Sequence, residues 1–481
     1  MRSYEHRAVG DTATAGALVN LGGASADESF WLSFGDVVAL SGDFFRPRGL
    51  PLAGGEERDT RAEAATGGML FHLARIPGQA GTLVGTRDEI ACALKVMAVD
   101  EAFVDPRFEP GGQFADFHFS PRANRSEVER HIRDRYLSLA AVNDDHFVSP
   151  GHSDAATGSG FASAPSAYRH LHQVALEEAC ALGRRGGDLS RAMAREAAAQ
   201  HYLTDAFAAG HLRTPVAAIR RFWKARYPSF WEQLQRRVAA DTAKTLRELT
   251  WAMRAVPARF IFARTLTELT TRTSRYPELS VGDLVARCFH DWDNTHGLEV
   301  DAGSVIFGDG HIDEGATTQL ALAAVRAGND DVEVAFELGA SGRGASGEAL
   351  YTAVRDATGV GDAFGPETKI PRPSAANPAQ NWQAKDVESL WDSPMVGARG
   401  TTVGEALVAM LDPSEQFIRQ LDGLGQGLAG THGVFALPFL GSWLAQKCCR
   451  AYHDGFVEPL ARDPQPVLLA VVHGTPSGAS V

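Results

Sequence analysis

The feature that most constrains this chain is the segment AQHYLTDAFAAGHLRTP at residues 199–215, which places three metal-binding side chains in an otherwise apolar stretch. Residues 191–210 are rich in Ala and contain no internal Gly or Pro, which predicts a single helix. His201 and Asp205 are four positions apart and share a face of that helix. Gly210 is expected to end the helix, just before His211. Two imidazoles and a carboxylate that converge from an apolar helix end are typical of a zinc site, whereas the alternative is a helix with solvated His and Asp side chains.

Two further histidines lie in acidic surroundings on either side of this segment. His146 lies in the loop sequence NDDHFVSPGHS, where a histidine flanked by acids is often simply solvated. His290 lies in CFHDWDNTHGL, with Asp293 three positions later on the same helix face. Asn294 occupies the fourth position, but a neutral amide is a poor zinc ligand. Asp293 is therefore the preferred partner of His290, with Asp291 as the alternative.

The composition is that of an ordinary globular protein, with 44% apolar and 22% charged residues in a chain of 481. A net charge of −13 argues against a general affinity for nucleic acid, because the phosphate backbone repels an acidic surface. The N-terminal sequence lacks the apolar core of a signal peptide, and no segment approaches the ~18 apolar residues of a membrane span. We therefore expect a cytoplasmic protein, or one secreted by a route that does not read a cleaved signal.

Hydrophobic periodicity predicts a mainly α protein. Helices are expected at residues 61–74, 88–102, 126–141, 164–182, 189–209, 229–256 and 281–290. The alternating sequence LEVDAGSVIFGDG at residues 298–310 predicts a short hairpin. The Gly-rich sequence GASGRGASG after Leu338 predicts a boundary between a catalytic domain, residues 1–338, and a C-terminal extension of mixed or helical character, residues 339–481.

The motifs occur in a characteristic order: the dipeptide His146-Phe147, the element His201-Tyr202-Leu203-Thr204-Asp205, then His211, and finally the pair His290 and Asp293. In this order the chain resembles the zinc-dependent phospholipase C family and, more distantly, the fungal single-strand-specific zinc nucleases. The similarity is greatest to a bacterial branch of metallophospholipases C with HYLTDxFxAGHLRTP and HDxDN segments. It covers approximately residues 30–310.

The resemblance implies a multi-helical catalytic domain with two or three zinc ions in a cleft. His146, His201 and Asp205 would hold one zinc together with an upstream carboxylate, and Asp205 would bridge to a second ion. The resemblance assigns another zinc to His211, His290 and Asp293. Clustered zinc ions suit a phosphodiester, because they neutralise charge at phosphorus and lower the pKa of a bound water.

The upstream carboxylate is the position at which the sequence offers a choice. Asp43 follows the apolar run VVALSG, and a carboxylate buried there needs a partner or a metal. We therefore expect Asp43 to be a ligand or the general base, while Asp134 lies in a charged helix and is expected to be solvated. The better-known family members bind one zinc through an N-terminal Trp, for which His6 is a partial substitute, but a surface histidine is the preferred interpretation. Asp309 is expected to be a turn residue of its GDG sequence.

These features lead to the expectation of a zinc metallophospholipase C. It would hydrolyse the glycerol-side phosphodiester of phospholipids, with phosphatidylcholine the preferred substrate, to diacylglycerol and a phosphorylated head group, using Asp43 and Asp205 in catalysis. One alternative is a zinc-dependent nuclease or nucleotidase of the same architecture, and another is a non-catalytic helical metal-binding protein.

A basic aromatic segment, RRFWKARYPSFW at residues 220–231, follows the metal-binding stretch. Its Trp223 and Trp231 suit peripheral contact with a membrane surface, because basic side chains and indole rings favour the lipid interface. The same residues would also suit single-stranded nucleic acid. The competing interpretation is that both rings pack into the protein core.

Overall fold

The computed structural model of the chain describes residues 1–21, 29–45, 87–102, 143–148, 163–226, 281–358 and 366–374, with residues 233, 236, 237, 244, 454, 455 and 458–462. The helices predicted at residues 61–74 and 126–141 lie outside these ranges, as do Asp134 and Trp231. Almost all of the helix predicted at residues 229–256 lies outside them as well. The side chain of Trp223 is likewise not described, so the membrane-contact hypothesis stays a prediction.

Helices dominate the described part of the chain, which confirms the prediction of a mainly α fold. The α-helices and strands are, in chain order, α1 (Ser3–Thr14), β1 (Leu18–Asn20), β2 (Trp31–Ser33), α2 (Phe34–Leu40), α3 (Arg87–Ala102), α4 (Ala164–Arg185), α5 (Ser190–Asp205), α6 (Ala209–Arg213), α7 (Val216–Arg226), α8 (Val281–His296), β3 (Leu298–Val300), β4 (Ser304–Ile306), α9 (Thr317–Ala340), α10 (Gly347–Ala357) and α11 (Glu458–Arg462). Short 3₁₀ turns lie at Asp144–His146, Asp301–Gly303 and Pro366–Lys369. None of the helices within the described ranges is both long and apolar enough to cross a membrane.

The strands of the described ranges form two small antiparallel pairs. β1 pairs with β2, with Val19 opposite Leu32, and β3 pairs with β4, with Glu299 opposite Val305. The second pair is the hairpin that the alternating sequence predicted. It carries the chain from the end of α8 to Asp309.

Contacts divide the chain into two units, and the division differs from the predicted boundary at residue 338. The first unit contains residues 1–104, 123–218 and 289–383, and the second contains residues 105–122, 219–288 and 384–481. Residue 338 lies inside α9, and α10 packs against both α4 and α9. Residues 339–358 therefore belong to the same unit as the metal-binding stretch, because their apolar side chains Leu350 and Val354 complete its core.

The core of the first unit is built from α4, α5 and α9, which pack against one another. A Cβ at Gly183 of α4 would overlap the carbonyl oxygen of Phe336, and one at Gly339 of α9 would overlap that of Cys180. The two helices can therefore approach until their backbones touch. Helix α5 is buried on every side from Arg195 to Asp205, so its polar side chains must find partners inside the protein.

Helix α5 ends at Asp205, five residues before the glycine that was expected to terminate it. The amide N–H groups of Phe207 and Ala208 donate hydrogen bonds to the carbonyls of Thr204 and Asp205, respectively. Helix α6 begins directly after this turn. The N–H of Ala209 donates to the carbonyl of Phe307, at 3.3 Å. This hydrogen bond joins distant parts of the chain, so no local sequence pattern predicts it. It fixes the direction of the chain after α5, and His211 lies inside the short helix α6.

One face of α5 carries a buried charged network away from the predicted metal site. His172 of α4 lies between two carboxylates, with Nδ1 2.6 Å from Glu196 Oε2 and Nε2 3.4 Å from Asp331 Oδ2. Arg355 of α10 pairs with the same Asp331 at 2.7 Å. Tyr168 donates its hydroxyl to Glu196 Oε1 at 3.1 Å. Two cations thus balance two carboxylates in the core, as the burial of charge requires.

The charge of His172 predicts a specific pH dependence of stability. Burial lowers the pKa of His172, but Glu196 and Asp331 raise it to about 9 in total. Because the folded-state pKa exceeds the unfolded value, the stabilisation is complete below about pH 6.5 and is lost as the pH rises through about 9. We expect the free energy of unfolding to fall by about 3 kcal/mol over this window.

Urea unfolding at a series of pH values measures this change. The fall should be much smaller in His172→Gln and should persist in His170→Gln, a matched control on the same helix. Equal pH profiles for the wild type and His172→Gln would contradict the prediction.

Candidate metal centre

Separate segments of the first unit bring their histidines and carboxylates to the C-terminal end of α5. α1 contributes His6, the turn after α2 contributes Asp43, and the 3₁₀ turn at Asp144–His146 contributes His146. α5 itself contributes His201 and Asp205, while α6 and α8 contribute His211 and His290, and the turn after β4 contributes Asp309. Among the described residues, the sets that could hold a metal ion are His6–His201–Asp205, Asp43–His146–His201 and His211–His290–Asp309.

Asp205 is the centre of this arrangement. Its Oδ2 lies 2.7 Å from His146 Nδ1 and 3.4 Å from His201 Nε2. Its Oδ1 lies 3.3 Å from His6 Nε2 and 3.2 Å from His211 Nδ1. Burial raises the pKa of Asp205, but the amino group of Met1, 2.9 Å from Oδ1, and the imidazole of His146 lower it well below its ordinary value. Asp205 is therefore an ionised carboxylate with both oxygens directed at nitrogen ligands.

The hydrogen bonds of His201 and His211 determine which ring nitrogen carries the proton. His201 Nδ1 lies 2.9 Å from the carbonyl oxygen of Val38, and His211 Nδ1 lies 3.1 Å from that of His146. Because a carbonyl oxygen only accepts, each Nδ1 donates a proton and each Nε2 keeps a lone pair. Burial lowers the pKa of both histidines well below the ordinary value, so the rings are neutral. This is the tautomer arrangement of metal-binding histidines whose second nitrogen is held by the protein.

His6 shows the same arrangement through a hydroxyl relay. Thr204 Oγ1 lies 2.6 Å from the carbonyl of Gln200, to which it donates, and 2.7 Å from His6 Nδ1, from which it accepts. His6 Nε2 then faces Asp205 Oδ1 at 3.3 Å, and this buried nitrogen has no hydrogen-bond partner. His6 Nε2 and Asp205 Oδ1 are both atoms that can bind a metal ion. The donor set of His6, His201 and Asp205 therefore fits a metal ion.

Asp43 lies at the edge of this group. Its Oδ1 is 3.9 Å from His201 Nε2, and its Oδ2 accepts the Ser3 hydroxyl at 2.5 Å. Gly42 adopts φ 88°, and a Cβ at this position would overlap the ring of His201. Only glycine combines this left-handed conformation with so close an approach. Burial raises the pKa of Asp43, although His6 and His146 partly oppose the increase.

His211, His290 and Asp309 form a second group beside the first. The rings of His211 and His290 are 4.8 Å apart, and His290 Nε2 lies 3.4 Å from Asp309 Oδ2. Phe147 stacks on His211 at 4.7 Å, which covers one side of the ring. Burial raises the pKa of Asp309, but the Met1 amino group, 3.2 Å from Oδ1, and His290 lower it far below the ordinary value. Burial likewise lowers the pKa of His290, but Asp309 and Asp291 raise it above its ordinary value in total.

The structure brings together six of the residues that the sequence predicted as ligands, namely Asp43, His146, His201, Asp205, His211 and His290. It does not bring in Asp293, the predicted partner of His211 and His290. Asp293 is fully buried, and both of its carboxylate oxygens accept from Arg213, with Nε at 2.7 Å from Oδ2. The i+3 spacing predicted that Asp293 lies on the same helix face as His290. It could not show that the carboxylate of Asp293 pairs with Arg213.

Two members of the groups, His6 and Asp309, were not predicted as ligands. His6 lies on the buried face of α1 together with Val9 and Gly10, at the i+3 and i+4 spacing that marks an inward face. That periodicity was a signal for its burial. Asp309 adopts φ 28°, as suits a turn residue, and its approach to His290 depends on how the hairpin packs against α8.

The two acidic residues near His290 differ in role, which a substitution at each can test. Asp309→Asn removes a carboxylate from the second group, so we expect the purified protein to bind one metal equivalent fewer, as measured by elemental analysis. Asp313→Asn changes an exposed carboxylate on the same segment and should leave the metal content unchanged. Unaltered metal content in Asp309→Asn would show that Asp309 is not a ligand.

Asp293→Asn should act on stability instead. It leaves the buried Arg213 guanidinium without its charged partner, which typically costs about 3–5 kcal/mol of unfolding free energy. Chemical denaturation of the metal-free protein measures this loss, with the exposed Asp301→Asn as the control. A metal-free variant as stable as the wild type that binds one metal equivalent fewer would make Asp293 a ligand instead.

The function of this chain has to be inferred from the groups around Asp205 and His290. Comparisons with protein-family models, with curated protein sequences and with solved structures gave no match. The resemblance to the zinc-dependent phospholipase C family rests on the residues that carry it, of which Asp205 lies at the centre of the candidate metal centre.

Proposed function

We propose that the chain is a zinc-dependent phosphoric diester hydrolase of the phospholipase C type, which cleaves the glycerol-side phosphodiester of phospholipids. The observation that carries the proposal is the position of Asp205, whose two oxygens contact His6, His146, His201 and His211. A carboxylate in this position is suited to bridge neighbouring metal ions. Imidazole nitrogen and carboxylate oxygen are the ligands that zinc prefers in catalytic sites.

The number of ligands favours catalysis over a structural metal. A structural zinc site is a closed shell of four ligands. The described groups contain His6, Asp43, His146, His201, Asp205, His211, His290 and Asp309, which exceed one such shell. This supports two or three zinc ions and disfavours the alternative of a non-catalytic metal-binding protein.

When bound, clustered zinc ions supply Lewis-acid stabilisation of the charge that develops on a phosphodiester. The residues of this chain would hold and orient those ions. Val38 and His146 accept hydrogen bonds through their carbonyls and fix the tautomers of His201 and His211. Asp43 is the candidate general base, because its carboxylate is 16% exposed and burial raises its pKa toward the range in which it can accept a proton.

The substrate class is tested by product analysis. We expect the zinc-loaded protein to release diacylglycerol and a phosphorylated head group from phosphatidylcholine vesicles. Single-stranded DNA and a nucleotide substrate serve as the competing tests. Hydrolysis of DNA or nucleotides without diacylglycerol release would identify the nuclease or nucleotidase alternative. No hydrolysis of any substrate by the zinc-loaded protein would favour the non-catalytic alternative.

Asp205→Asn should abolish hydrolysis while the protein still folds, because an amide lacks the charge needed to bridge two metal ions. His211→Ala should be nearly as damaging. Circular dichroism establishes folding, and Asp313→Asn is the control for the loss of a carboxylate. Wild-type turnover in either site variant would refute the role assigned to that residue.

A further inference from the structure

Asn294 lies where three segments of the second group meet. It is 1% exposed, and its Oδ1 accepts the backbone N–H of Gly210 at 2.7 Å. Its own carbonyl accepts the N–H of Gly308 at 3.1 Å. Gly210 and Gly308 directly precede His211 and Asp309, and Asn294 lies one helical turn after His290. Asn294 is therefore hydrogen-bonded to the residues that directly precede His211 and Asp309, the other two members of the second group.

Steric contacts at the same junction support this arrangement independently. A Cβ at Gly210 would overlap the carbonyl oxygen of His290, and a Cβ at Gly308 would overlap Oδ1 of Asn294. The backbones on either side of α8 thus approach as closely as atoms allow. Any side chain at these two positions would push α6 or the Asp309 turn away from Asn294.

The amide group is chemically suited to this junction because it both accepts and donates. With Oδ1 committed to Gly210, the NH₂ group of Asn294 faces the His290 ring, 3.1 Å from Nε2 and 3.4 Å from Nδ1. His290 Nδ1 also lies 2.9 Å from Asp291 Oδ1. Both side chains therefore contact the ring, near its partner Asp309.

We propose that Asn294 is the positioning residue of the second metal group. It holds His211, His290 and Asp309 in their mutual arrangement and is not itself a metal ligand. This inference rests on the proposed function, because it assumes that the second group binds a metal. Contacts that orient a metal-binding side chain in this way typically change metal affinity 10- to 100-fold.

The experiment is a zinc titration of the purified metal-free full-length chain against a competing chromophoric chelator. Asn294→Leu keeps the approximate shape of the side chain but can neither accept from Gly210 nor donate toward His290. We expect one zinc equivalent to lose 10- to 100-fold in affinity, with the other zinc equivalents unchanged. Thr295→Ala, at the exposed neighbouring position, is the matched control and should titrate like the wild type.

Asn294→Asp separates positioning from ligation and remains informative if the Leu variant does not fold. Its carboxylate still accepts from Gly210 but cannot donate toward His290, so a positioning role predicts wild-type stoichiometry and a smaller loss of affinity than in Asn294→Leu. A gain of tenfold or more would mean that residue 294 reaches the metal, and a lost equivalent would mean that the retained Gly210 bond does not position the group. Either result overturns the inference.

The outcomes for the wild type and for Asn294→Leu are also distinguishable. A wild-type protein that binds fewer than two zinc ions overturns both the proposed function and the inference. A wild type that binds two or more, with Asn294→Leu indistinguishable from it, overturns only the inference. A uniform loss of all zinc equivalents would indicate a general structural effect and would likewise overturn it.

Discussion

The structure depends on the burial of polar side chains along α5. A helix that is enclosed on all sides is usually apolar, yet Glu196, Gln200, His201, Thr204 and Asp205 are all buried in this one. Each buried polar group costs free energy unless it is hydrogen-bonded or paired. The surrounding helices are arranged so that they meet this requirement. Helix α5 therefore acts as the axis around which both the core and the candidate site are built.

The two ends of this buried stretch are satisfied by different chemistry. Glu196 is neutralised by His172, and the adjoining Asp331 by Arg355, so the charges of that network balance within the protein. At the other end, Asp205 is surrounded by the imidazoles of His6, His146, His201 and His211, and its Oδ1 also faces the Met1 amino group. Within this group, His6, His201 and Asp205 form a set that could hold a metal ion. The second end therefore offers metal donors, whereas the first end is balanced by the charges of the protein.

The segments around His290 show how neighbouring acids on one helix separate into roles. Asp293 of α8 is paired with Arg213 of α6, which lies two residues after His211. This ion pair joins the two helices. Asn294 joins the same two helices through Gly210. Asp309, which arrives from the hairpin, supplies the carboxylate next to His290. The packing partners of each side chain, and not its spacing from His290, decide which acid belongs to the metal group.

The sequence alone was sufficient for the features that depend on local periodicity. The helices at residues 88–102, 164–182 and 281–290 were predicted from hydrophobic spacing, and each exists with different ends, the last extending to His296. The shared face of His201 and Asp205 follows from the geometry of any α-helix. The hairpin after Leu298 follows from its alternation. These properties involve residues a few positions apart, so a linear pattern contains them.

Tertiary structure decided the features that join distant segments. The end of α5 at Asp205 depends on a hydrogen bond to Phe307, and the place of Asp309 in the site depends on the packing of the hairpin against α8. His6 reaches Asp205 across nearly two hundred positions, and Arg213 reaches Asp293 across 80. A buried ion pair and a metal ligand use the same residue types at the same helical spacing. Only the three-dimensional neighbours of a carboxylate separate the two, because charge compensation acts through space and not along the chain.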